Sequence, residues 1–169
     1  MVRTSAQTYT FKENESRTIC YKTLADSLYT TFSQSDVISV DIPEGMTVMP
    51  QFTVCINLKK VNSNVDGKCI MPNGITTVSL ACFAGCTGLT SIEIPDSVTS
   101  IGEYAFSDCT NLTSITIEAT TPPTLGTDAL KNTNNCPIYV PSDSVAAYQA
   151  ASDWSAYSVR IKSVNELQV

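Results

Sequence analysis

A chain of 169 residues with 43% hydrophobic content is long enough for one domain with a packed core, yet only 15% of its residues are charged, well below the roughly 25% of ordinary domains, so its surface is polar rather than ionic. Net charge is −6, and the six charged residues between Lys68 and Lys131 are all acidic. This excludes nucleic acid as a partner, because binding by counterion release requires Lys and Arg. The absence of His removes Ser-His, Cys-His and His-metal arrangements and leaves only carboxylates for acid-base work.

Taken in chain order, residues 1 to 18 show a brief alternation at Tyr9 and Phe11 and little else. Cys20, Leu24, Leu28 and Phe32 recur every four residues and predict an N-terminal helix that covers the first structural unit. The first thirty residues lack the apolar core of a signal peptide, and no run reaches membrane-spanning length. The expectation is a chain assembled in the cytoplasm, or one from which a signal has been trimmed. From Val40 onward the apolar pattern changes. Val40, Ile42-Pro43, Met46, Met49 and Phe52 are followed by Phe52-x-x-Cys55-x-x-Leu58, and then by about eight inserted residues within 59 to 67 that should loop out from one face.

Beyond this insertion the chain repeats itself. Cys82-Phe83-Ala84-Gly85-Cys86-Thr87-Gly88-Leu89-Thr90-Ser91-Ile92-Glu93-Ile94 returns as Ala105-Phe106-Ser107-Asp108-Cys109-Thr110-Asn111-Leu112-Thr113-Ser114-Ile115-Thr116-Ile117, displaced by 23 positions. A period of this length marks a solenoid, whose coils bury their apolar faces only against neighbouring coils. Ile138 and Val140 stand one further period after Ile115 and Ile117 and predict another strand. Pro141, the Ser/Asp stretch 142–144 and the alanine-rich run to Ala151 predict a short helix from about 144 to 151, followed by the apolar residues Trp154, Tyr157, Val159, Ile161 and Val164.

The run Ile94-Pro95, Val98, Ile101-Gly102, Ala105-Phe106, Cys109, Leu112, Ile115 and Ile117 resembles the 23-residue leucine-rich repeats of the BspA-like family, found in surface and virion-associated proteins of gut and oral bacteria and their phages. The preceding copy, Met71-Pro72, Ile75, Val78, Cys82-Phe83, Cys86, Leu89, Ile92 and Ile94, departs only at Ser79, where the family has glycine. The resemblance implies an α/β-type repeat: a short leucine-rich-repeat solenoid with one narrow parallel sheet, an N-terminal helix and a C-terminal helical cap. The expected divisions are an attachment or capping segment over 1–36, the repeat array over 37–141 and the cap over 142–169. Residues 69–71, 92–94, 115–117 and 138–140 are predicted to be adjacent parallel strands.

Three features invite chemistry, and each has a plainer explanation. The seven cysteines include Cys55, Cys86 and Cys109 at one repeat position, where stacked coils pack small thiols in a column, so buried free thiols are expected rather than disulfides. Cys82-x-x-x-Cys86 has zinc-like spacing, but Cys82 replaces Ala105 of the next copy and no His is present; no metal is expected. Asn62-Ser63-Asn64-Val65-Asp66-Gly67 begins like a calcium loop, yet its first ligand is Asn and its twelfth position is Asn73, and a turn-rich insertion accounts for it. No cofactor motif occurs. No pair of carboxylates is placed by a motif, which leaves a carboxylate-dependent glycan hydrolase as the only enzyme that the composition permits and a remote one.

What remains is a surface. The Ile residues of each strand point inward, so their neighbours point out. Stacking at about 4.8 Å aligns Asp41, Ile70, Glu93, Thr116 and Tyr139 in one column and Lys68, Ser91, Ser114 and Pro137 in another. This face is the candidate for contact with a protein or a surface glycan. Tyr9, Phe11, Tyr21 and Tyr29 are the candidates for stable assembly, through self-association or docking on phage capsid or tail proteins. The sequence therefore points to a non-catalytic binding module, set either in a phage virion or, as an adhesin, on a bacterial cell surface.

Overall fold

Short β-branched runs whose inward residues recur every 23 positions suit parallel strands that share one core, because a full coil separates each strand from the next. The computed structural model describes residues 18–20, 39–42 and 45–168. Within them the chain forms β1 (Thr18–Cys20), β2 (Ser39–Asp41), β3 (Lys60–Val61), β4 (Lys68–Ile70), β5 (Thr77–Val78), β6 (Ser91–Ile94), β7 (Ser100–Ile101), β8 (Ser114–Ile117), β9 (Thr124–Leu125), β10 (Ile138–Val140), α1 (Val145–Ala150) and β11 (Ile161–Ser163). The main sheet runs β1-β2-β3-β4-β6-β8-β10-β11 with every pairing parallel. Its core register joins Cys69, Ile92, Ile115, Ile138 and Ile161, all buried. The strands expected at 69–71, 92–94, 115–117 and 138–140 are thus adjacent and parallel, with boundaries displaced by at most one residue.

Four details differ from the sequence reading. There are two sheets rather than one: β5, β7 and β9 form a second parallel ladder, Thr77–Ser100–Thr124 and Val78–Ile101–Leu125, on the far side of the core. The repeat coils are not α/β, since α1 is the sole α-helix among the described residues and lies in the cap. A helix is blocked because the coils enter the left-handed region, at Val54 in the first of them and twice in each of the next three, at Ala81 and Gly85, Tyr104 and Asp108, and Asp128 and Asn132. Cys20 closes a strand instead of opening a helical stripe; Leu24, Leu28 and Phe32 lie outside the described residues. Finally, the insertion begins later than expected. Val61 follows Leu58 by three residues, as Ile92 follows Leu89, and supplies that coil's own strand, which pairs Val40 on one side and Cys69 on the other. Residues 62–67 alone make the loop.

The coils are tied together by contacts that the repeat forces into columns. Phe52, Phe83 and Phe106 stack with centroids 5.2 and 5.6 Å apart. Beside them Cys86 Sγ donates to Phe52 O at 3.1 Å and Cys109 Sγ to Phe83 O at 3.0 Å, so each thiol binds the backbone of the coil before it. Cys55, Cys69, Cys82, Cys86, Cys109 and Cys136 are buried free thiols. In the last coil Thr133 takes the place of the column cysteine, buried and donating to Leu130 O at 2.8 Å.

Glycine is needed where one coil presses on the next. A Cβ at Gly102 would meet Leu80 N at 2.7 Å and Ser79 C at 2.8 Å, and one at Gly126 would strike the backbone of Gly102 and Glu103. Ser79 stands at the equivalent position of the preceding coil and is buried. Gly102→Ala and Gly126→Ala should each destabilise the fold by about 1–3 kcal/mol through overpacking, whereas Gly45→Ala meets no neighbour and costs only its positive φ. Urea melts of the three variants check this; equal midpoints for Gly102→Ala and wild type would refute close coil contact.

The C-terminal segment closes the stack. The helix expected over about 144–151 is α1, and Tyr148 and Trp154 are both fully buried against the last coil. Their polar ends are satisfied there: Tyr148 Oη donates to Ala119 O and Trp154 Nε1 to Pro123 O, both at 2.8 Å. β11 then returns to the main sheet beside β10, which makes the cap a modified final coil.

Candidate binding face

The outward residues of the main sheet fall into the two predicted columns. Ile70, Glu93 and Thr116 occupy successive rungs, Tyr139 follows Thr116, and Lys162 follows Tyr139. Lys68, Ser91 and Ser114 form the parallel column. Asp41 ends β2 one rung beyond the Val40–Val61 pair and is exposed. Sequence reasoning missed two members. Lys60 shares the Lys68 column because β3 is a strand, and Lys162 shares the Tyr139 column because Ile161 stands one repeat period after Ile138. Both were signalled by intervals already present in the repeat.

Eight of the nine predicted face residues are half-buried, since side chains at strand spacing shield one another. Charge is largely neutralised locally. Lys68 Nζ lies 2.7 Å from Glu93 Oε1 on the neighbouring strand, and Lys60 Nζ lies 2.9 Å from Asp66 Oδ1, whose hydrogen bond and charge hold the Asp66 carboxyl below the usual carboxylate range. Solvent-screened pairs of this kind contribute little to stability, but they fix side-chain positions. Beyond the Lys68–Glu93 pair lies an uncharged stretch of Ser91, Ser114 and Thr116, ending at Tyr139. Tyr9, Phe11, Tyr21 and Tyr29 lie outside the described residues.

The other candidate centres are occupied by internal contacts. In the loop after β3, Asn62 Oδ1 accepts from Ile42 N at 2.6 Å and Asn62 Nδ2 donates to Ile42 O at 3.2 Å, an amide that extends the ladder by one rung. Ser63 Oγ accepts from Val65 N, and Asp66 pairs with Lys60, so the side-chain oxygens of Asn62, Ser63 and Asp66 are engaged within the chain. Cys82 and Cys86 donate their S–H groups to Pro50 O and Phe52 O, and burial pushes both thiols well up from their ordinary range, which keeps them protonated. Among the described residues no group of three or more metal-ligating side chains converges. Nor is any described helix long and apolar enough to cross a membrane.

Parallel strands stacked one per coil around a continuous Ile/Leu/Phe/Cys core, with a polar ladder facing solvent, define a leucine-rich-repeat solenoid. The family model for the BspA type leucine rich repeat region matches residues 62–165 in six copies, more than half of the chain, and the chain belongs to that family. The match runs through β11 and so takes in the closing segment as well as the array. Among curated proteins no relative matches the chain.

Proposed function

We propose that this protein is a non-catalytic recognition module, an interaction or adhesion unit of the leucine-rich-repeat kind, that uses the strand face from Lys60 to Lys162. The observation that carries the reading is the unbroken outward register Ile70–Glu93–Thr116–Tyr139–Lys162. A rigid sheet presents these side chains at fixed spacing, so binding costs little ordering entropy. The face is too polar for a permanent interface, which is richer in apolar area, and suits reversible contacts strengthened by several copies acting together.

In its finer form the proposal places the module on a phage virion as an accessory or decoration component that contacts the bacterial surface or mucus. It is supported by the family resemblance and by the small size of an array closed at its C-terminal end by Tyr148 and Trp154. Ser114→Arg/Thr116→Arg, in the uncharged centre of the face, should reduce retention on immobilised mucin or on bacterial cells by about tenfold with an unchanged melting temperature. Undiminished retention would remove the strand face from the reading. Mass spectrometry of density-purified particles tests the setting, and absence of the chain from them would leave the cell-surface adhesin.

A further inference from the structure

A groove of about 600 Å³ lies where the last repeat coil meets the closing segment, and it gathers the opposite charge to the rest of the chain. Lys131, Arg160 and Lys162 line it against one acid, Asp128, in a protein whose net charge is −6. Its volume falls within the range of small-molecule sites, about 300–1,000 Å³.

Arg160 is the organised element. Its Nε donates to Cys136 O at 2.8 Å and its Nη2 to Thr133 Oγ1 at 2.9 Å, while the guanidinium lies over the Tyr157 ring, 5.4 Å from the centroid. A side chain pinned in this way has already lost its rotamer freedom, and its Nη1 makes no hydrogen bond among the described residues. Of the lysines beside it, Lys131 is hydrogen-bonded and Lys162 is held loosely. Lys131 Nζ sits 3.0 Å from Asp128 Oδ2, and Lys162 Nζ is 3.7 Å from Glu166 Oε2, too long for a direct hydrogen bond. The Asn135 side chain also has no hydrogen-bond partner among the described residues. Val159, 88% exposed, and the exposed Ala156 give the groove an apolar component that a bare inorganic ion would not use.

We infer that this groove binds an acidic sugar residue, its carboxylate or sulfate group taken by Arg160 Nη1 with Lys131 and Lys162, its hydroxyls by Asn135 and its ring C–H face by Val159 and Ala156. An oxyanion completes the guanidinium fork in charge-assisted hydrogen bonds, which are about twice as strong as neutral ones. Asp128 opposes the ligand and, by holding Lys131, tunes the affinity downward. The site is separate from the Ser114–Thr116 centre of the strand face, so either can fail without the other.

The test is a calorimetric titration of the full chain with digalacturonate and galactose 6-sulfate, each against its neutral counterpart, digalactose and galactose. The acidic sugar should bind about tenfold more tightly than its counterpart, and less so as salt is raised from about 20 to about 200 mM. Lys131→Gln and Arg160→Lys should each weaken binding by about fivefold or more, and Asp128→Asn should strengthen it by about twofold to fivefold. Lys131 and Asp128 lie near the surface and leave the fold intact, and circular dichroism verifies Arg160→Lys. Binding of either acidic sugar supports the assignment and identifies the oxyanion. Equal binding of neutral sugars, no binding of either acidic one, or affinities unmoved by both Lys131→Gln and Asp128→Asn would overturn it.

Discussion

Trp154→Ala should lower stability by about 3–5 kcal/mol, the largest effect of any single substitution outside the repeat core. Trp154 is 1% exposed, meets Tyr148 edge-on at 5.2 Å and satisfies Pro123 O through its indole N–H. Truncation removes the ring, leaves a cavity at the open end of the stack and strips a buried carbonyl of its donor, which alone costs about 1–3 kcal/mol. Against a total of about 5–15 kcal/mol for a natural domain, this is a large fraction. The loss should also be uneven in space. Each coil in a solenoid touches only its neighbours, so damage to the cap frays the end it covers. Hydrogen exchange should quicken first over β10, α1 and β11, while β4, β6 and β8 keep their protection. Trp154→Phe, which refills most of the space but cannot donate, should cost less than half as much, and Val159→Ala, at an exposed position, should change stability by less than about 0.5 kcal/mol. A Trp154→Ala variant that melts like wild type would show that the segment is not a cap.

The main sheet was legible in the sequence because a strict repeat spacing leaves no freedom of register: once Ile92 pairs with Ile115, Glu93 must pair with Thr116. The columns of the face followed from the same constraint. What escaped was short or not repeated. β5, β7 and β9 have two residues each, too few for an alternating pattern, and only the spacing of Val78, Ile101 and Leu125 marks them. β3 was concealed by the loop that follows it, since Cys69 stands one full period before Ile92 and Met71-Pro72 repeats the exit Ile94-Pro95. The basic groove could not be read at all, because Lys131, Arg160 and Lys162 are brought together by the return of the closing segment. Thr133 escaped for another reason: the Thr121-Pro122-Pro123-Thr124 stretch displaces its coil, so it falls one place beyond a full period after Cys109. Periodicity locates what every coil repeats, and the departures from it are where one coil differs in function from the next.

Alkaline titration should expose the cost of the thiol column. Burial pushes Cys69, Cys82, Cys86, Cys109 and Cys136 above their ordinary value, Cys109 up to about 12. In the unfolded chain these thiols ionise at about 8.5, so above that pH the folded state holds more protons and stability falls as pH rises. For Cys109 the decline spans the interval from about 9 to about 12, and each thiol titrating only in the unfolded state steepens it by about 1.4 kcal/mol per pH unit. Tyr148, likewise raised by burial, adds to the slope above its ordinary value of about 10. Between about pH 6 and 8 the curve should be flat, because the chain has no His to titrate there. Urea midpoints measured from pH 7 to 11 check the shape, and Cys109→Val should reduce the alkaline slope by about one proton while leaving the neutral plateau within about 1.5 kcal/mol. The same burial should make Cys55, Cys69, Cys82, Cys86, Cys109 and Cys136 inert to Ellman's reagent in the native protein at pH 8, and reactive only after denaturant is added. Rapid native labelling, or a denatured count that rises only after reduction, would mean that the column is open or bridged. A slope unchanged in Cys109→Val would mean that its thiolate is accommodated in the fold, contrary to a dry core stacked coil upon coil.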